Sequence, residues 1–248
     1  LNQAYEELRQ SRCLDAVVVV AADELSQIQS TLLEKMGWLA KSTEGSNLFN
    51  SQSQGMTLGE GAVALVLEKK SSLLRRGGNG LAEVAAVSGS LDSIPFTPAL
   101  DFGANRTLQL QAKGESLSDA ICHGLERGRI EMDQVDLVLG AACGIPEIDL
   151  REQAIVSKLF GDAVPYGTAA KWTGTQFASG SLFNLCLAVS AISRSESLQC
   201  MNNYVLERHR PICEMPKAAA ILSTSEDGLN AVTLVKPTSF ATCNSLSQ

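Results

Sequence analysis

Few side chains in this sequence could perform acid–base or nucleophilic chemistry. The chain contains only 2 histidines, His123 and His209, so a histidine-rich metal site is excluded. Cys143 is a candidate nucleophile, but no residue beside it in the sequence supplies the base that would form its thiolate. Asp149 and Glu152 could pair as acid and base. Their i, i+3 spacing at a helix start is more simply explained by a favourable interaction with the helix dipole.

Neither histidine is predicted to be catalytic, and most cysteines are predicted to be structural. His123 lies in the middle of an apolar helical pattern, and His209 lies in a charged stretch that indicates a solvated loop. Five of the 7 cysteines lie in or beside apolar runs, which predicts small core residues in a reducing, cytoplasmic setting. These five are Cys13, Cys122, Cys143, Cys186 and Cys200.

The most informative motif is the segment 172–181, which reads W-T-G-T-Q-F-A-S-G-S. It runs directly into the apolar residues 182–192, and this pattern predicts a turn followed by a buried helix. Thr175 lies in the turn. Its hydroxyl cannot accept a proton near neutral pH and offers only a weak hydrogen bond.

The elements that must position these residues alternate between strands and helices. Strands are predicted at residues 15–22, 62–68, 81–89, 136–142, 217–223 and 231–235. Helices are predicted at residues 2–10, 25–39, 71–76, 117–127, 150–160 and 182–192, with Ser116 or Ser118 capping the fourth. The apolar runs at 15–22 and 62–68 predict strands that are buried on both faces. The alternation predicts a layered α/β fold, and the last two strands predict a hairpin and therefore a mixed sheet.

The remaining segments are predicted to be irregular. Residues 42–55 and 95–105 have the composition of loops, and the polar tail begins at 238. The chain has 248 residues, is 45% hydrophobic and carries a net charge of −7, which argues against nucleic acid as a partner. No apolar run reaches the length of a membrane span, and no signal peptide is visible.

Several motifs, taken in order, resemble the ketosynthases of the thiolase superfamily. The run D-A-V-V-V-V-A-A-D-E at 15–24 resembles the family strand A-D-V-x-x-A-G-G-x-E. Residues 49–62 resemble F-D-x-x-R-D-G-F-V-x-G-E-G-A, with the G-E-G-A core intact. The segment 172–181 resembles K-S-M-T-G-H-x-x-G-A-A-G. The resemblance spans nearly the whole chain.

The catalytic positions that the resemblance implies are occupied by other residue types. The first catalytic histidine of the family falls at Cys143, and the second falls at Thr175. The gating loop of the family, S-F-G-F-G-G-x-N, resembles residues 223–230, but its two phenylalanine positions are Thr224 and Glu226. The resemblance therefore implies a scaffold from which the chemistry has been removed.

The run P-E-I-D-L-R-E at 146–152 is similar to the inactive branch of the family, the chain length factors of type II polyketide synthases. Such a β subunit pairs with an active β-ketoacyl-ACP synthase α subunit, which is served by an acyl carrier protein. It also shapes the tunnel in which the polyketide or polyene is elongated. The resemblance implies that this chain is itself inactive, with no catalytic residue, cofactor or metal.

The resemblance also implies a thiolase-like fold with α-β-α-β-α layers and mixed five-stranded sheets. Residues 1–80 would end the first thiolase-like half, residues 81–237 would form the second, and 238–248 would be the tail. The family helix that residues 1–10 resemble follows the nucleophilic cysteine. The N-terminal part of the fold is therefore expected to be missing from this chain and to be supplied by a separate chain.

Two other functions are compatible with the same residues. One is a degenerate ketosynthase that still decarboxylates malonyl groups on the carrier protein to form starter units. The other is a purely structural partner without a tunnel. Met56, Phe177 and Phe183 are predicted to lie in the core or along a tunnel, and Trp172 is predicted to pack against the protein.

Overall fold

The computed structural model describes residues 1–41, 48–92, 115–195, 197–206, 212, 214–225 and 228–238. The helices are α1 (Asn2–Gln10), α2 (Gln27–Lys35), α3 (Lys70–Arg75), α4 (Glu115–Gly128), α5 (Pro146–Phe160), α6 (Ala170–Thr173), α7 (Gly180–Ser193) and α8 (Ser197–Tyr204). The strands are β1 (Ala16–Asp23), β2 (Gly61–Glu68), β3 (Glu83–Leu91), β4 (Leu137–Leu139), β5 (Tyr166–Gly167), β6 (Ala219–Thr224) and β7 (Leu229–Lys236).

The larger sheet contains five strands in the order β3-β7-β6-β4-β5. Strand β4 is parallel to β5 and β6, whereas β7 is antiparallel to both β6 and β3. The predicted mixed sheet and the predicted hairpin at the end of the chain are therefore confirmed. Helix α6 was not predicted, because its four residues are too few to show a helical period.

Helices cover both faces of this sheet because the side chains of its strands alternate between two apolar clusters. Val138 of β4 packs with α4 and α5 on one face, and Leu137 and Leu139 pack with α7 and α8 on the other. The inner face of the β1–β2 pair, which includes Val19 and Val63, joins the second cluster. The thiolase-like layered fold is confirmed, with α7 packed between the five-stranded sheet and the β1–β2 pair.

Strands β1 and β2 form an antiparallel two-stranded sheet. The prediction that both strands are buried on both faces is wrong in this structure. Val18 pairs with Val66 in the register, and the two side chains are 62% and 68% exposed. Val20 on the same face is 66% exposed. The apolar run was interpreted correctly as a strand, but its outer face has no covering layer among the described residues.

Other predictions are corrected or lie outside the described residues. Helix α4 begins at Glu115, so Ser116 lies inside its first turn and neither Ser116 nor Ser118 is the cap. Cys13 and Cys122 are exposed, which contradicts their prediction as core residues, whereas Cys143 and Cys186 are partly buried. The loop 95–105, the residues 42–47, the tail from 239 and the side chain of Cys200 lie outside the part that is described. None of the described helices is long and apolar enough to cross a membrane.

Candidate functional site

The turn before α7 is fixed by close backbone packing. Gly174 has φ +77°, and the N–H of Thr175 donates to the carbonyl of Thr57 at 2.7 Å. The N–H of Gly59 in turn donates to the carbonyl of Thr175 at 2.9 Å. A Cβ atom on Gly59 would lie 2.0 Å from the carbonyl oxygen of Thr173. The first glycine of the G-E-G-A motif is therefore required for two backbone segments to meet.

The next residue of the turn anchors the same segment from the other side. Gln176 is buried, and its Nε2 donates to the carbonyl of Glu60 at 3.0 Å. A Cβ atom on Gly61 would lie 2.8 Å from that Nε2 and 3.1 Å from the ring of Phe183. The second glycine of the motif thus makes room for Gln176. Phe183 packs against the second apolar cluster, which places it in the core rather than along a cavity.

Asp23, at the end of β1, holds the N-terminus of α7. Its carboxylate accepts hydrogen bonds from the N–H of Ala178 at 3.1 Å and from the N–H of Ser179 at 2.7 Å. The Ser179 hydroxyl donates to it at 2.5 Å. Burial disfavours the ionised form of Asp23, but the bonds from Ser179 and Ala178 outweigh burial and lower its pKa. The sequence did not predict this role of Asp23, because Asp23 and Ala178 lie 155 positions apart.

The loop that follows β4 carries Cys143, and the Asp149 carboxylate holds this loop in place. The N–H groups of Cys143 and Gly144 donate to the Asp149 carboxylate at 2.8 and 3.0 Å. The N–H of Phe49 donates to the same carboxylate at 3.3 Å. Asp149 is fully buried, and burial raises its pKa. Asp149 does lie in the first turn of α5, but its main partners are loop amides rather than the helix dipole.

Glu152 holds the preceding residue of the same loop. Both of its oxygens accept from the N–H of Ala141, at 3.1 and 3.0 Å, and Tyr166 donates its hydroxyl to Oε1 at 2.5 Å. Glu152 is 3% exposed, and burial raises its pKa to about 7. The sequence predicted that Glu152 lies at the start of a helix, but it did not predict the buried contacts with Ala141 and Tyr166. The sequence indicated this role only through two acidic residues one turn apart in the helix that follows a buried strand.

The structure brings together Cys143 and Thr175, the two residues that the resemblance places at the histidine positions. The Thr175 hydroxyl donates to the carbonyl of Cys143 at 2.9 Å. Burial and the adjacent Asp149 carboxylate raise the pKa of the Cys143 thiol well above its ordinary value, so the thiolate is disfavoured. Thr224 lines the same cavity. Glu226, the other altered gating-loop position, lies outside the described residues.

These residues border an open cavity of about 290 Å³. Its apolar wall contains Trp38, Met56 and Phe177, and Met56 is buried whereas Phe177 is 44% exposed. No histidine occurs among the described residues that line the cavity, and His123 is exposed on α4. His209 lies outside the described residues. Within the described part of the chain, no cluster of three potential metal ligands is present. The described residues that line the cavity therefore offer shape and hydrogen bonds but no imidazole.

The environment of Cys143 leads to a direct prediction about thiol reactivity. At pH 8 we expect iodoacetamide to alkylate Cys143 at least about tenfold more slowly than Cys13 and Cys122, because alkylation requires the thiolate. Cys13 and Cys122 are exposed and serve as internal controls. Time-resolved peptide mass spectrometry measures the three rates in one sample. Equal or faster alkylation of Cys143 would show that the thiol is activated and would reopen its role as a nucleophile.

Comparisons with known proteins agree with the motifs and the fold. Residues 1–72 match the family model for the N-terminal domain of β-ketoacyl synthases. Over 161 residues the chain is 26% identical to the tetracenomycin polyketide synthase ketoacyl synthase beta subunit of Streptomyces glaucescens, covering 63% of this chain and 36% of that protein. The chain thus spans about a third of the length of this curated relative.

Solved structures show the same fold. The ishigamide ketosynthase/chain length factor has a TM-score of 0.75 and 20% identity, over 96% of this chain and 57% of that one. A type II polyketide synthase acyl carrier protein in complex with its ketosynthase, AntDE–AntF, has a TM-score of 0.78 and 18% identity, over 96% of this chain and 59% of that one. These comparisons confirm the resemblance to ketosynthases and their chain length factors that the sequence motifs indicated.

Proposed function

We propose that this chain is a non-catalytic chain length factor that pairs with an active β-ketoacyl-ACP synthase and shapes the tunnel in which a polyketide or polyene is elongated. One observation carries the proposal. Cys143 and Thr175, which the resemblance places where the active enzymes have imidazoles, are joined by a hydrogen bond beside the cavity. Decarboxylative condensation requires groups that activate the malonyl unit and stabilise the enolate. Neither a protonated thiol nor a threonine hydroxyl supplies them.

The similar proteins support the pairing and the supply of substrate. The tetracenomycin relative is a beta subunit, and the ishigamide structure contains a ketosynthase and a chain length factor. The AntDE–AntF structure contains an acyl carrier protein bound to its ketosynthase. We infer that the carrier protein reaches the complex through the partner, because the net charge of −7 makes this chain a poor dock for an acidic protein.

The chain would limit the length of the product by steric exclusion. A bulky side chain at the end of a tunnel leaves no room for further units. Extending the product beyond that point therefore costs the free energy of overpacking. Phe177 is the residue to test, because it lines the cavity and its side chain is partly exposed.

We expect Phe177→Ala, in the complex with the ketosynthase, to shift the product distribution towards longer chains, with the rate of the first condensation unchanged within about twofold. Mass spectrometry of the products and single-turnover kinetics measure the two quantities. Trp172→Ala is the matched control, since Trp172 is 69% exposed and lies outside the cavity lining. A change confined to the first condensation rate would contradict steric control.

A second candidate is a degenerate ketosynthase that decarboxylates malonyl groups on the carrier protein. It is disfavoured because the described residues that line the cavity include no imidazole. The chain alone is incubated with malonyl carrier protein, and the formation of acetyl carrier protein is followed by mass spectrometry. Turnover above the background would favour the decarboxylase. A purely structural partner is the third candidate, and it predicts that Phe177→Ala leaves the product distribution unchanged.

A further inference from the structure

Two buried carboxylates lie side by side under the wall of the cavity. Asp149 and Glu152 are 0% and 3% exposed, and they lie one turn apart on α5. Among the described residues, none of the salt bridges includes either carboxylate. Two unpaired negative charges at this depth would repel each other and lose their hydration, so such a pair favours holding one proton.

The hydrogen bonds distinguish the two carboxylates. Asp149 accepts from three backbone N–H groups, on Phe49, Cys143 and Gly144, and these bonds favour its ionised form. Glu152 accepts from a single backbone N–H, on Ala141, and from the Tyr166 hydroxyl. A hydroxyl can reverse its direction and accept from a protonated carboxyl group, which a backbone N–H cannot do. Glu152 can therefore hold a proton and still keep a hydrogen bond, with its carboxyl group donating to the Tyr166 oxygen.

We propose that Asp149 and Glu152 are positioning residues that together hold the cavity wall from Ala141 to Gly144, and that one proton resident on Glu152 makes the rigidity of this wall depend on pH. The wall carries Cys143, whose carbonyl accepts from Thr175. Release of the proton to solvent leaves two adjacent buried negative charges. Opening of the wall exposes Glu152 to water and so reduces the repulsion between the charges and the cost of their burial. The proposal does not depend on the chain length factor function.

The neighbouring titratable groups agree with this assignment. Asp149 and Arg151 act on Glu152 from its own helix, the former raising its pKa and the latter lowering it. Tyr166 on β5 lowers the pKa through its hydrogen bond, but burial outweighs it. Cys143 faces both carboxylates from the loop. Because the pKa in the closed wall is about 7 and that of an exposed glutamate is 4.5, closure is favoured most below pH 4.5 and becomes weaker until about pH 7.

Hydrogen exchange of the wall amides tests the proposal. Once the intrinsic exchange rate is divided out, we expect protection of the Ala141, Cys143 and Gly144 amides to fall on the order of 50-fold between pH 5 and pH 8 in the unmodified protein. In Glu152→Gln, which cannot ionise but keeps an acceptor for Ala141, the fall should shrink to less than about threefold. Glu126→Gln, on the exposed face of α4, is the control and should keep the full fall.

A second variant covers the case in which Glu152→Gln does not fold. Tyr166→Phe removes the hydroxyl that stabilises the ionised form of Glu152, so the midpoint of the protection change should move to higher pH. Equal protection at pH 5 and pH 8 in the unmodified protein, or the same fall in Glu152→Gln, would overturn the proposal. Neither result bears on pairing with a ketosynthase, so the failure of one proposal is distinguishable from the failure of the other.

Discussion

Replacing Gly174 with alanine is expected to lower the free energy of unfolding by about 4 kcal/mol, for two additive reasons. Its φ of +77° is a conformation that L side chains rarely adopt. A Cβ atom there would also lie 2.8 Å from the backbone nitrogen of Gly59 and 2.9 Å from the backbone of Leu58. Backbone atoms cannot move aside independently, so the turn and the G-E-G-A segment must separate.

Gly77 provides the matched control for this prediction. It has a similar φ of +67°, but a Cβ atom there would meet no atom within 4 Å. Gly77→Ala should therefore cost only about 1 kcal/mol, the cost of the backbone conformation alone. Urea titrations of the two variants measure both values. Equal losses in the two variants would mean that close packing between Gly174 and Gly59 contributes nothing, and the explanation of the G-E-G-A motif would fail.

Replacing Asp149 with alanine is expected to lower the free energy of unfolding by about 3–5 kcal/mol. The substitution leaves the N–H groups of Phe49, Cys143 and Gly144 without their acceptor. Each buried donor that loses its partner costs about 1–3 kcal/mol, and water from the open cavity recovers part of that loss. The loop after β4 should also lose its fixed conformation.

Glu147→Ala is the control for Asp149→Ala. Glu147 lies in the same first turn of α5 but is exposed. Its removal should cost less than about 1 kcal/mol, which is the range of a helix-dipole interaction. Chemical denaturation gives the stability difference, and amide exchange locates it. If the two variants lose the same stability, Asp149 acts through the helix dipole, as the sequence alone suggested, and not through the loop.

The order of most of the elements could be predicted from the sequence, because the apolar period, a local pattern, separates strands from helices. The retained glycines set the register in which the resemblance places Cys143 and Thr175 at the histidine positions. The hydrogen bond between these two residues could not be predicted, since 32 positions separate them. The same limit applies to Asp23 at the N-terminus of α7.

The wrong predictions came from context that a local pattern does not contain. The continuous run of valines in β1 gives no information on whether a layer covers the outer face of the strand, and Val18 is exposed. Cys122 lies in an apolar helix, but on its exposed face. Asp149 and Glu152 were assigned to the helix dipole because their i, i+3 spacing at a helix start is all that the local pattern shows. Their burial follows from the polar backbone of the loop, which needs acceptors.

We propose that this chain shapes the product without performing the condensation. An elongation assay tests this proposal: a ketosynthase that co-purifies with this chain is supplied with malonyl carrier protein, in the presence and in the absence of this chain. Mass spectrometry reads the product lengths. We predict a stable heterodimer that makes products of one dominant length, no condensation by this chain alone, and loss of length control when it is omitted. Condensation by the chain alone, or a product distribution that its omission leaves unchanged, would contradict the claim.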